Sequence, residues 1–172
     1  QQPSGQMMEQ PDRSDEETET DEETETEETT GTKGIKAKGT LIISGGTYTI
    51  NAADDGIHSN SNIAINGGTL AIASGDDGVH ADGQVIVNDG TIAISESYEG
   101  IEGNEKVLIV GGQITLTSSD DGFNGDTIEI SGGHTEIDAE GDGIDANGIL
   151  TVSGGETYVS GPTGDGDGAL DY

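Results

Sequence analysis

The residues best able to do chemistry here are acids that return at a nearly constant interval. Asp55, Asp77, Glu99, Asp121, Asp142 and Asp167 are spaced by 22, 22, 22, 21 and 25 residues, and Asp54, Asp76 and Asp120 stand directly before three of them. If the interval is one coil of a stacked repeat, neighbouring acids lie about 4.8 Å apart. At that distance they repel by about 0.9 kcal/mol in water-like surroundings and about 3.5 kcal/mol at an effective dielectric of 20. A divalent cation between coils relieves this, and oxygen-only donors at short spacing suit calcium, magnesium being stricter in geometry. Asp-Asp-Gly is also good turn chemistry through side-chain to backbone hydrogen bonds. For one copy that would suffice; six in register on a chain of net charge −30 favour calcium.

A second column lies across a turn from these acids: Lys36, His58, His80, Glu102, Asn124 and Asp145. Glu102, Asn124 and Asp145 can add oxygen ligands to the calcium set. His58 and His80, nitrogen donors stacked on neighbouring coils, are candidates for touching a ligand, although a histidine among acids is ordinarily solvated or hydrogen-bonded. His134 follows a different corner and reads as surface. At Tyr98-Glu99 and Gly141-Asp142 the first acid of the pair is lost, so the best-formed calcium sites are expected beside the Asp-Asp pairs. The pattern is neither a twelve-residue EF-hand loop nor a nine-residue glycine-aspartate repeat.

The elements that would hold these columns follow from the same register. Gly34, Gly56, Gly78, Gly100 and Gly122 are 22 apart, with Gly143 after 21 and Gly168 after 25. Each is followed by an apolar residue: Ile35, Ile57, Val79, Ile101, Phe123, Ile144 and Ala169. Pairs such as Ile63 and Ile65 or Val85 and Val87 then alternate with polar neighbours, which predicts a strand. A Gly-Gly or Asp-Gly corner follows, needing positive φ or close backbone approach. After it a second alternating strand carries Leu70 and Ile72 or Ile92 and Ile94, weakening at Thr135 and Thr157. With the short strand beside the first glycine this makes three strands per coil, and no helical periodicity interrupts them. The expectation is an all-β, right-handed parallel β-helix of about six coils over residues 34–172. It stops part-way into a seventh coil without a polar cap, so the natural protein is expected to continue.

Residues 1–33 differ, with 12 acids, 2 bases and almost no apolar side chain. Such a segment cannot offset its ordering entropy by burial and reads as a disordered, self-repelling acidic linker. Overall, 29% hydrophobic and 3% aromatic residues are few for an ordinary globular core, and 30 glycines suit a repeat. Only five bases are present, which disfavours nucleic acid and anionic membranes as partners. No cysteine is available for disulfides or thiolate sites, and no segment has the length of a membrane span.

The phrases Gly-Ile-Lys-Ala-Lys-Gly, Ile-Ser-Gly-Gly-Thr, Asp-Asp-Gly-Ile-His-Ser, Asp-Asp-Gly-Val-His-Ala-Asp-Gly and Gly-Asp-Gly-Ala-Leu-Asp-Tyr resemble a carbohydrate-binding β-helix family of clostridial surfaces. The resemblance covers residues 34–172. It implies a non-catalytic relative of pectate lyases in fold, located outside the bacterial cell or on its surface, with calcium along the helix and a cellulose or acidic plant polysaccharide partner. Its Asp-Asp-Gly motif falls on Asp54, Asp55, Asp76, Asp77, Asp120 and Asp121. Tyr98 on the ladder edge and Tyr158 at an outward strand position are the candidate sugar platforms. Two other readings stand beside this one. A spacer or adhesin stalk would use calcium for stability alone. A pectate-lyase-type enzyme would need a base to remove the uronate α-proton, and residues 34–172 offer only Lys36, Lys38 and Lys106, with no arginine.

Overall fold

A computed structural model describes residues 31–172, and the expected acidic linker lies largely outside them. Among the described residues there are ten strands and no helix. They are β1 (Ile35–Ala37), β2 (Leu41–Ala52), β3 (Ile57–Ser59), β4 (Ile63–Ser74), β5 (Val79–Ala81), β6 (Gln84–Ile109), β7 (Gln113–Ile130), β8 (His134–Ala139), β9 (Ile144–Val152) and β10 (Glu156–Ser160). Every strand pairing is parallel and joins residues one repeat apart. Ile35, Ile57, Val79, Ile101, Phe123 and Ile144 form one such row. The chain is a β-solenoid of about six turns, as the 22-residue interval predicts.

The corners explain two glycine columns. The second residue of every Gly-Gly or Asp-Gly corner has positive φ: Gly46 (96°), Gly68 (109°), Gly90 (122°), Gly112 (89°), Gly133 (87°) and Gly155 (83°). Asp89 is tolerated because it takes the first place, and among the described residues no non-glycine residue has positive φ. In β2 and β4 this corner falls inside one continuous strand, and the pairing register breaks there, as between Ile43, Ser44 and Thr47. The glycine that opens each coil answers a different need. A Cβ on Gly78 would sit 2.6 Å from the Gly100 carbonyl oxygen and 2.6 Å from Ile94 Cδ1. Neighbouring coils therefore approach too closely there for any side chain.

The alternation places the predicted apolar columns inside. Ile57, Ile63, Ile65, Leu70 and Ile72 of one coil are essentially inaccessible, as are Val79, Val85, Val87, Ile92 and Ile94 of the next. Each such side chain contributes about 1.5–3 kcal/mol by leaving water. Phe123 is the largest residue in this core. Tyr48 also points inward, packing against the core while its hydroxyl donates to the Gly45 carbonyl at 3.0 Å. Packing weakens toward the last coil, where Val152 is 53% exposed and Ala169, expected in the inward column, is exposed. The weak position Thr135 is fully buried, and its hydroxyl has no hydrogen-bond partner, an arrangement that costs about 1–3 kcal/mol.

Candidate functional site

Two surfaces of the solenoid carry chemistry: the acidic edge and the outer face of the sheet that follows the glycine corner. On the edge each acid immediately precedes a coil-opening glycine, so its carboxylate lies against the backbone of the following coil. Asp55 Oδ1 accepts the Asp77 N–H (3.4 Å), Asp77 Oδ1 the Glu99 N–H (3.2 Å), Asp121 Oδ1 the Asp142 N–H (2.7 Å) and Asp142 Oδ1 the Gly168 N–H (2.6 Å). One oxygen of the rung thus does the turn chemistry, which leaves the second free for a cation.

The cations available differ along the edge. Lys33 Nζ donates to Asp55 Oδ2 (2.5 Å) and Asp54 Oδ1 (3.2 Å), and His58 Nδ1 lies 2.7 Å from the same Asp55 oxygen. His58 is buried and stacks on His80, their ring centroids 5.0 Å apart and nearly parallel. His80 Nδ1 lies 2.8 Å from Asp77 Oδ2 and also contacts Glu102 Oε2, while its Nε2 is 3.4 Å from Asp82. Asp54, Asp55 and Asp76 bring one donor oxygen each within 4.8 Å of one another, and so do the donors of Asp77, His80 and Glu102.

These contacts set the protonation of the edge. Burial alone would lower the His80 pKa, but hydrogen bonds and charges from Asp77 and Glu102 outweigh it and raise it to about 10. Burial likewise pushes against ionised Asp77, yet hydrogen bonds from His80 and Glu99 hold it below the usual carboxylate range. Glu99 is pushed up to about 9 by burial and by the neighbouring Asp77, so it carries the proton of this pair at neutral pH. Farther along, Asp121 and Asp145 are raised by burial and by like charges, Asp142 among them. Among the described residues no basic side chain forms a salt bridge with Asp120, Asp121, Asp142 or Asp145. Asn124 pairs in register with Glu102 and Asp145, and Asp167 is exposed on the final coil. Tyr98, 54% exposed, projects from the same edge.

The second surface is built by strand alternation. Thr49, Ala71, Ala93, Thr115, Glu136 and Tyr158 form one outward row through paired registers. Small residues at the first three places leave a trough. Open clefts of about 240 Å³ between Thr49 and Ser95, and about 210 Å³ between Asn51 and Glu96, lie on this face. A larger cleft of about 530 Å³ is lined by Thr115, Thr117, Glu136, Asp138, Tyr158 and Ser160, with aliphatic atoms of the core at its floor. Tyr158 is 58% exposed, and the His134 ring is 5.5 Å from it at 50°. His134 is held between Glu136 (2.9 Å) and Glu156 (3.2 Å), and its pKa is raised by these partners.

Sequence reasoning placed Tyr158 outward but did not single out Glu136, Asp138 or His134 as its neighbours. The available signal was the outward column itself, which changes from threonine and alanine to charged and aromatic residues in the last coils. The ladder edge and this groove are separate surfaces, so Tyr98 and Tyr158 do not converge on one site.

A search of curated proteins and one of solved structures return no significant match. The sequence profile of one family, described as carbohydrate-binding domain-containing protein, matches the chain twice in succession, over residues 10–78 and 76–169. The two matches meet within the second Asp-Asp-Gly turn and together take in nearly all of the solenoid, so the chain belongs to this carbohydrate-binding domain-containing family.

Proposed function

We propose that the chain is a non-catalytic, extracellular or cell-surface carbohydrate-binding module whose glycan lies in the groove on the outer sheet face. The observation that supports this most directly is the run of clefts along one face, the largest beside exposed Tyr158. An aromatic ring offers an apolar platform for the C–H face of a sugar while its hydroxyl stays wet. Glu136 and Asp138 accept hydrogen bonds from sugar hydroxyls, and Thr115, Thr117 and Ser160 can donate or accept. With only His134 as a local base, already held by two glutamates, the groove suits an uncharged polysaccharide such as cellulose by direct contact. An acidic plant polymer would need a bridging cation.

Calcium enters this reading as the counter-ion of the lower edge, where Asp120, Asp121, Asp142 and Asp145 have no basic partner among the described residues and Asn124 adds a neutral oxygen. At the upper edge Lys33 and the two histidines already sit among the carboxylates. The fit is therefore best where the donors are oxygen only. A lyase reading would need a free base beside the acids: Lys33 is engaged by Asp54 and Asp55 and Lys106 by Glu129, which leaves the exposed Lys36 and Lys38 of the first coil.

Affinity gels containing neutral glucans or polygalacturonate, each with calcium and with EDTA, test the reading. Retention is expected on at least one of them, with Tyr158→Ala weakening it at least about tenfold, equivalent to about 1.4 kcal/mol. Retention on none would leave a structural spacer, and retention unaffected by Tyr158→Ala would move the site off this groove. Unsaturated product from pectate would instead establish a lyase.

A further inference from the structure

One rung of the acidic edge differs from the others in its donor chemistry. At Asp55 the carboxylate already meets Lys33 and His58. At the rungs below Glu99 the facing column offers Asn124 and Asp145, oxygen donors only. Between them, Asp77, His80 and Glu102 bring two carboxylate oxygens and an imidazole nitrogen within 4.8 Å of one another. We propose that these three side chains form a binding site for one divalent first-row transition ion of the zinc class, distinct in ligand type from the oxygen-only rungs.

The geometry supports this in three ways. Two carboxylates, Asp77 Oδ2 and Glu102 Oε2, approach the single Nδ1 of His80. One N–H points along one line and serves two acceptors poorly, whereas an ion at their centre accepts a lone pair from all three. Zinc holds nitrogen and oxygen donors at about 2.0–2.2 Å, which in a tetrahedron separates donors by roughly 3.4 Å. His80 Nδ1 and Asp77 Oδ2 are 2.8 Å apart and Glu102 Oε2 lies closer still to Nδ1, so loading the site moves the first pair apart by about 0.6 Å and the Glu102 carboxylate by more, a side-chain adjustment.

The atoms behind the donors are arranged for the same task. His80 Nε2 faces Asp82 at 3.4 Å, a carboxylate that can hold the Nε2 proton and leave Nδ1 as the ligand. Asp77 commits its other oxygen to the Glu99 N–H, which fixes the carboxylate plane. Backbone pairing supplies the third constraint: His80 and Glu102 are register partners in adjacent parallel strands, so their separation is set by the ladder and not by a loop. Imidazole favours zinc, cobalt or nickel over calcium, which takes oxygen.

The test is a titration of the EDTA-dialysed chain with Co²⁺ alone, read by visible absorption, followed by displacement with Zn²⁺. One Co²⁺ per chain is expected, displaced by equimolar Zn²⁺ but not by a large excess of Ca²⁺. His80→Gln should weaken binding at least about tenfold, and Asp82→Asn by roughly tenfold through loss of ring orientation. Far-UV circular dichroism checks folding; should His80→Gln unfold, Glu102→Gln is read in its place with the same expectation. Co²⁺ affinity unchanged in the folded variant, no visible band, or displacement by equimolar Ca²⁺ would overturn the proposal. Because the site is separate from the sheet groove, glycan binding can fail without touching it, and the reverse.

Discussion

At the scale of single residues, the acidic edge is a row of backbone-bonded carboxylates whose surplus charge is handled differently from rung to rung. The upper rungs use Lys33, His58 and His80, Glu99 keeps a proton, and Asp121 and Asp145 are left facing like charge. This predicts an unusual pH dependence for the metal-free protein. Glu99 is raised to about 9, so from about pH 4.5 upward the native state holds a proton that the unfolded chain has lost. Its contribution therefore falls as pH rises through that window. His80, raised to about 10, contributes fully below about pH 6.5 and loses its contribution as pH rises through 10. Asp77, depressed, contributes above its unfolded value and is lost only in strong acid. Thermal unfolding in EDTA should accordingly show a melting temperature higher at pH 5 than at pH 9 by at least about 3 °C. Glu99→Gln should flatten that slope, and a slope unchanged in the variant would assign the effect to other carboxylates.

At the scale of elements, the close approach of coils at their opening turns is permitted by glycine. The glycine that opens each coil has a neighbouring carbonyl where a Cβ would be, so the short strands β1, β3 and β5 can stack close to the acid-bearing turns. Gly78→Ala places a methyl group 2.6 Å from the Gly100 carbonyl oxygen, and backbone cannot yield as a flexible side chain can. A loss of about 2 kcal/mol or more is expected in urea unfolding, within the range of strongly destabilising single substitutions. By contrast Gly39→Ala, where a Cβ meets nothing within 4 Å, should stay within about 0.5 kcal/mol. Equal effects at the two positions would show that coil spacing does not depend on this contact.

At the scale of the whole molecule, a net charge of −30 on 172 residues makes self-repulsion a general opponent of the folded state. The solenoid tolerates it because its core is a set of continuous aliphatic columns, and because the buried acids Asp55 and Asp77 are paired with Lys33, His58 and His80. Raising NaCl from low to physiological strength should raise the melting temperature by shortening the reach of that repulsion to about 8 Å. If acidic rungs are instead satisfied locally by backbone and by Lys33 and the histidines, as at Asp55 and Asp77, the salt effect will be small. The family assignment concerns the whole solenoid, whereas the glycan groove and the transition-ion rung are separate surfaces upon it, each open to its own measurement.

The amino-acid sequence by itself determined the solenoid. A period of 22 carried by glycine, an aliphatic column and period-two alternation can be satisfied only by parallel coils stacked in register, and the Gly-Gly corners pinned the bend. It also determined which residues form the acidic edge, because register alone aligns Asp55, Asp77, Glu99, Asp121 and Asp142. What it did not contain was where each carboxylate oxygen points and which cation meets it. Lys33 stands 22 residues before Asp55, in the register of the ladder, but only the structure shows its ammonium group shared between Asp54 and Asp55. His80 meets Asp77, Asp82 and Glu102 together only because rotamers and coil spacing bring three columns to one point. The groove beside Tyr158 was likewise decided by tertiary structure. Thr115, Glu136 and Tyr158, which wall it, come from three successive coils and meet only when those coils stack.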